Sequence, residues 1–168
     1  TGEAGLAGWA LWPLTEFVAR RGLATPERAL ACLHALTQRF TAEWAIRPFI
    51  VEHPALSFAT LQRWQGDPSP HVRRLVSEGS RPRLPWGLRL QSLEHDPSPT
   101  LPLLAALQDD PSAYVRRSVA NHLNDIAKDH PQLVVDWGRT HLPQATPERR
   151  ALLRHACRSL IKQGHADA

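Results

Sequence analysis

Methionine is absent from all 168 residues, lysine occurs only at Lys128 and Lys162, tyrosine only at Tyr114 and cysteine only at Cys32 and Cys157. Each scarcity excludes something. Two cysteines cannot build a disulfide framework, and without a CxxC pair there is no zinc knuckle, so no metal site is expected and a reduced, cytoplasmic setting is. No apolar run approaches the roughly 20 residues of a membrane span, and no basic stretch precedes an apolar segment as in a secretory leader. No stretch alternates with period two long enough for a sheet. There is no P-loop and no GxGxxG, so no nucleotide cofactor is expected. Ser80 has no nearby His/Asp signature for a serine nucleophile. A chain that opens on Thr1 and lacks methionine is expected to be part of a longer protein, missing a natural N-terminal portion.

What is present describes one folded unit. An apolar fraction of 42% with six tryptophans excludes disorder, and the length suggests a single domain over residues 1–168. Twenty basic residues, nearly all arginine, against 16 acids leave a net charge of +4, which by itself does not decide for nucleic acid. The punctuation is helical. Thr25-Pro26-Glu27 and Thr146-Pro147-Glu148 each set a capping threonine before a first-turn proline and an acid. Asp67-Pro68-Ser69, Asp96-Pro97-Ser98 and Asp110-Pro111-Ser112 read as further helix starts, with Asp67 and Asp110 as caps. The recurrence of apolar residues at three and four predicts helices over 11–21, 26–47, 55–65, 69–79, 86–94, 99–107, 112–128, 131–141 and 146–163. The fold class is all-α, with antiparallel neighbours joined by short connections.

One segment returns. Asp67-Pro-Ser-Pro-His-Val72-Arg73-Arg74 is matched 43 residues later by Asp110-Pro-Ser-Ala-Tyr-Val115-Arg116-Arg117. That offset falls in the period of about 40–47 residues of HEAT-type helical pairs, which stack into a curved solenoid. Arg73 and Arg116 are expected to pair with acids of the adjacent repeat. A 35-residue shift aligns the segment around Arg39 with that around Arg74. Arg39, Arg74 and Arg117 then form one column, and Glu43, Glu78 and Asn121 the next, with Asp125 one turn beyond Asn121. Equivalent positions of second helices line one surface of a solenoid, commonly the concave one. Two readings stand side by side. Arg39/Glu43 and Arg74/Glu78 are either solvated i,i+4 pairs worth a few tenths of a kcal/mol, or part of a site that mixes acids with arginines.

After Glu78 the chain runs Gly79-Ser80-Arg81-Pro82-Arg83-Leu84-Pro85-Trp86. Two prolines hold two arginines in an extended segment suited to phosphate contact, and Trp86 either stacks on a ligand or packs. Ser77 to Trp86, with Arg117-Ser-Val-Ala-Asn-His-Leu-Asn-Asp-Ile-Ala-Lys-Asp-His-Pro131 and Glu43-Trp44-Ala-Ile-Arg47-Pro-Phe49, resembles the AlkC branch of the bacterial DNA alkylation repair proteins, relatives of the AlkD branch. Both branches are HEAT-like repeat DNA glycosylases. The resemblance covers roughly residues 25–140.

The resemblance implies excision of alkylated purines such as 3-methyladenine from duplex DNA, without a cofactor. Alkylation at a ring nitrogen makes the base cationic and a good leaving group, and the bond breaks through an oxocarbenium-like sugar. Carboxylates meet both needs, negative charge near C1′ and a positioned water. Acids repel phosphate, so carboxylates kept among arginines are better explained by a cationic lesion than by backbone binding. The resemblance carries Glu43, Glu78 and Asp125 over as active-site acids and Trp86 as an aromatic wall beside the lesion, with Asp125 and Glu78 foremost. Arg39, Arg74, Arg81, Arg83 and Arg117 are expected on DNA phosphates, with Arg47 and Lys128 behind them. The expected partner is alkylated double-stranded DNA, bound by a monomer at the bacterial nucleoid. The alternative is a non-catalytic HEAT-repeat module that binds DNA structures or a protein.

Overall fold

The structure, a computed structural model, describes residues 5–167. They contain eleven α-helices: α1 (Trp12–Arg21), α2 (Pro26–Thr37), α3 (Arg47–Glu52), α4 (Pro54–Trp64), α5 (Pro70–Gly79), α6 (Gln91–His95), α7 (Leu101–Leu107), α8 (Ala113–Ile126), α9 (Pro131–His141), α10 (Pro147–Ala156) and α11 (Arg158–Lys162). No strand forms among the described residues, so the fold is all-α as expected. No helix is long and apolar enough to cross a membrane.

Proline opens α2, α4, α5, α9 and α10, where a missing N–H leaves no bond unmade and the fixed φ is already helical. Thr146 caps α10 by accepting the Arg149 N–H at 3.2 Å, whereas Thr25 makes no side-chain cap. The aspartates of the Asp-Pro-Ser segments are not caps. Asp67, Asp96 and Asp110 each accept the N–H of the serine two residues on, at 2.8, 3.0 and 2.8 Å, and so bend the chain just before the helix.

Three expected helices are shorter or broken. The helix expected over 26–47 stops at Thr37, and residues 38–46 turn before α3 starts. Pro48 explains the restart: in a continuous helix its ring would clash with the Trp44 carbonyl, which instead accepts the Arg47 N–H at 3.4 Å. The helix expected over 86–94 forms only as α6, because residues 80–90 are drawn into a loop against α3. The helix expected over 146–163 breaks at Cys157. The Ala156 carbonyl at the break is taken by the buried Asn124 amide at 2.8 Å, which offsets the lost helical bond.

Helices α2, α5, α8 and α10 pack side by side in chain order. Leu33, Ile46, Leu75, Val119, Leu123 and Ala156 run between them as one apolar core. The returning segment builds the same joint twice. Arg73 Nη1 donates to the carbonyls of Asp67 and Pro68 at 2.7 and 3.0 Å, and Arg116 Nη1 to those of Asp110 and Pro111 at 2.6 and 2.9 Å. Arg73 also forks onto Asp110 at 2.6 and 3.0 Å, the expected link between repeats. Arg116 meets no such acid; the next link is Arg149 onto Asp109. Gly79, ending α5, allows the closest approach. A Cβ there would come within 2.5 Å of Ile46 Cγ2, so the turn before α3 lies directly against the end of α5.

Candidate active site

That approach brings three carboxylates together. Glu43 lies in the turn before α3, Glu78 in the last turn of α5 and Asp125 in the last turn of α8, and they are 5%, 6% and 2% exposed. Buried carboxylates require charged or hydrogen-bonding partners, and two arginines supply most of them. Arg81 donates Nε to Asp125 Oδ2 at 2.8 Å and Nη1 to Glu78 Oε1 at 2.6 Å. Arg74 reaches Glu43 at 3.3 and 3.5 Å and Glu78 at 3.6 Å, and donates to Thr41 Oγ1 at 2.8 Å. Burial draws the Arg74 guanidinium down, yet Glu78 and Glu43 together hold it above its ordinary value.

The acids differ in what they have left to offer. Glu78 spends both oxygens in short bonds, one to Arg81 and one to the Ser118 hydroxyl at 2.6 Å. Among the described residues Asp125 Oδ1 meets only the exposed Lys128 ammonium, at 3.2 Å, and Glu43 only the long Arg74 contacts. The most weakly held oxygens are therefore on Asp125 and Glu43.

The loop beyond Glu78 is pinned from α3. Arg47 is fully buried and donates to the carbonyls of Gly79, at 2.9 Å, of Pro82, at 3.4 Å, and of Leu88. It is a loop anchor and not the phosphate contact expected. Burial, with the Arg81 charge nearby, lowers its pKa to about 10. The Trp44 indole N–H donates to the Pro85 carbonyl at 3.3 Å. Between these anchors Trp86 projects outward, 98% exposed, with φ at 57°. A bulky non-glycine residue at positive φ is strained, and no burial offsets that strain. Trp86 therefore does not pack into the core. The cleft beside it, about 480 Å³, is also lined by Trp12 and Trp44, whose rings stack at 5.2 Å.

The arginines expected on phosphate divide. Arg74 and Arg81 hold the carboxylates, and Arg81 is itself buried. Arg83 forks onto Asp129 at 2.8 and 2.7 Å and keeps that carboxyl below its usual range. Arg39 is exposed in the turn after α2. Since residues 38–46 are not helical, Arg39 and Glu43 are not a helical turn apart, and Glu43 bonds Arg74 instead. Arg117 is exposed and makes no ion pair or side-chain hydrogen bond among the described residues. Asn121 stands out of the acid column, with Oδ1 at 2.9 Å from His155 Nε2.

Sequence reasoning placed His122 beside the acids but missed three other neighbours, Tyr114, Ser118 and Arg158. The Tyr114 ring lies 4.8 Å from the Arg74 guanidinium, a cation–π contact beside Glu43 and Glu78. Ser118 and His122 share the buried stripe of α8 with Asp125, a spacing of four and three that is visible in the sequence. His122 donates Nδ1–H to the Ser77 carbonyl at 3.0 Å, and burial drives its pKa down to about 3, so the ring is neutral and Nε2 has no partner. Arg158, opening α11, lies close enough to Asp125 and Arg81 to feel both charges. No group of three or more His, Cys, Asp or Glu side chains is placed to hold a metal ion among the described residues.

No family model matches the chain. It is 46% identical over 168 residues to the uncharacterized protein YhaZ of Bacillus subtilis (strain 168), which covers 98% of this chain and 45% of that one. It is also 45% identical, with a TM-score of 0.87, to the structure of Pseudomonas fluorescens alkylpurine DNA glycosylase AlkC bound to DNA containing an abasic site analog, over 92% of this chain and 43% of that one. The resemblance to the AlkC branch thus holds across nearly the whole fold, while the chain spans less than half the length of either relative.

Proposed function

We propose, from that likeness and the site geometry, that this chain carries the active site of a DNA glycosylase that hydrolyses the N-glycosidic bond of cationic alkylated purines, of the 3-methyladenine type, in duplex DNA. The observation that carries the proposal is the clustering of Glu43, Glu78 and Asp125 around two arginines, next to the loop that presents Trp86 to solvent. A surface for phosphate alone gains nothing from three buried acids. A sugar that becomes cationic as a cationic base departs is stabilised by them. Asp125 Oδ1, whose partner is the exposed Lys128 ammonium, takes the oxocarbenium or its attacking water, with Glu43 assisting. Glu78, saturated by Arg81 and Ser118, is a positioning residue that aims Arg81 at Asp125. Trp86 forms the exposed wall beside the lesion. Arg39 and Arg117 contact the backbone, whereas Arg74, Arg81 and Arg83 hold carboxylates. The chain works as one HEAT-like repeat domain and as a monomer on its lesion.

Base release from a methylated duplex tests this. The wild type releases 3-methyladenine. Asp125→Asn, which keeps shape and removes charge, slows release by about 10²–10³-fold, the scale of losing one electrostatic stabiliser, with duplex binding retained. If Asp125→Asn releases base like the wild type, the assignment of the acid is wrong. Duplex binding without release by the wild type leaves a DNA-binding module and no enzyme.

A further inference from the structure

The Trp86 ring buries almost nothing, so it cannot hold its own loop in place. Its φ of 57° is strained, and such strain persists only where the surroundings over-determine the backbone. One guanidinium supplies much of that constraint. Arg47 spends each of its three nitrogens on a different carbonyl. Nη1 donates to Gly79 at 2.9 Å and Nη2 to Pro82 at 3.4 Å, where the chain leaves α5, and Nε donates to Leu88, where the loop returns. Gly79 and Pro82 are buried and Leu88 is exposed, so the fork joins the inner end of the loop to the outer end across Trp86. Arg47 meets no carboxylate in ion-pair range among the described residues. Its pKa of about 10 leaves it charged at neutral pH, with every donor retained. A fully buried charge with no acid beside it is costly, and here its hydrogen bonds go to the carbonyls of this one loop.

The short stretch that carries Arg47 also carries an acid of the site. Glu43 takes the Arg74 contacts, Trp44 donates its indole N–H to the Pro85 carbonyl at 3.3 Å, and Ile46 lies against Gly79. Gly87, next to Trp86, closes the fit from the loop side. A Cβ there would come within 3.2 Å of Trp44 Cδ1 and 3.4 Å of Arg47 Cδ. We propose that Arg47 is a positioning residue: by clasping both ends of the loop it fixes where Trp86 stands relative to Glu43, and it acts on base release through Trp86. The last step rests on the glycosylase reading, whereas the clasp does not. Arginine suits the task because its planar fork offers nitrogens in three directions, while lysine has one nitrogen on a flexible stem. Arg83 and Arg89 tie the same loop to Asp129 and Glu94, but through partly exposed pairs that hold it less firmly.

The clasp and its consequence are read separately. With tryptophan replaced by 5-fluorotryptophan, the Trp86 signal is assigned from Trp86→Phe and followed by fluorine NMR. Arg47→Met and Arg47→Lys are both expected to shift or broaden it, while the signal of Trp137, on α9, stays in place. Base release from a methylated duplex is expected to fall by about 10²-fold, the scale of misplacing a group by about 1 Å, and by no more than in Trp86→Ala. On the Trp86→Ala background Arg47→Met is expected to add nothing, because two residues that act through one group are not additive. Gly87→Val pushes the loop off the clasp without touching the buried charge. It is expected to move the Trp86 signal in the same way, and it decides the matter if Arg47→Met does not fold. A Trp86 signal unmoved in the Arg47 and Gly87 variants overturns the proposal. So does a moved signal with full base release, or an equal further loss on the Trp86→Ala background. Full rescue by Arg47→Lys would show that the charge matters and the fork does not, which also overturns it. A wild type that releases no base sinks the glycosylase reading, and the clasp then stands or falls on the Trp86 signal alone.

Discussion

Arg73 and Arg74 are adjacent in one helix and serve different parts of the molecule. Arg73 forks onto Asp110, whose carboxylate also closes the turn before α8, and every strong acceptor of that joint is used. Arg74 and Arg81 meet three acids, two of which are held in part by long contacts or by an exposed partner. The same chemistry, guanidinium on carboxylate, makes a structural rivet when every contact is short and inward, and a candidate site when one oxygen has only a long or solvent-facing partner. Counting acid–base pairs does not separate the two; the length and exposure of the remaining contacts do.

The contrast can be broken most severely with Arg81→Met set against Arg73→Met. Arg81→Met leaves Glu78 and Asp125 buried without their guanidinium. It is expected to cost about 3–5 kcal/mol in urea unfolding and to abolish base release by whatever protein remains folded. Arg73→Met is expected to cost about 3 kcal/mol, since Asp110 keeps only the Ser112 N–H, with release per folded molecule unchanged. Equal loss of release in both variants would erase the distinction.

A smaller effect concerns the neutral His122 between the two helices that carry Glu78 and Asp125. Its folded pKa, about 3, lies below the ordinary value of 6.5. Below pH 6.5 the unfolded chain therefore takes up a proton that the folded chain refuses until about pH 3. The wild type should lose stability as the pH falls through that window, by up to about 1.4 kcal/mol per pH unit from this group. His122→Gln should flatten that limb of a stability–pH curve while lowering stability at neutral pH.

The smallest expected effect sharpens the reading of Trp86. Glycine removes the strain of its positive φ, so Trp86→Gly should raise stability by about 1 kcal/mol, as judged by urea midpoint, while base release falls. A gain in stability with full release would make the exposed ring a bystander.

Part of this was legible in the sequence. Pro at the head of α5 and α10 and the Asp-Pro-Ser segments mark chain reversals correctly, because turn chemistry acts over two to four residues. The two occurrences of Val-Arg-Arg locate the stacked helices. The acids were legible through the repeat and the resemblance, although the register that aligned Glu43 assumed a helix through 47 that ends at Thr37. Its conclusion survives because the turn of residues 38–46 delivers Glu43 to the same place by another path. The role of Arg47 was not legible, since nothing local distinguishes a buried arginine that binds carbonyls from an exposed one that binds phosphate.

The sequence by itself determined the all-α class, the starts of α2, α5, α8, α9 and α10, the repeat and an excess of arginine interleaved with acids. Those properties follow from propensities and spacings that act within one or two helical turns. Tertiary structure alone decided which arginine meets which acid, because the partners lie far apart in the chain, 37 residues for Arg73 and Asp110 and 44 for Arg81 and Asp125. It also decided that Trp86 stands in solvent while Arg47 does not. Long-range pairing is set by how the helices stack and by which donors are already occupied, and neither is written in any local stretch of the chain.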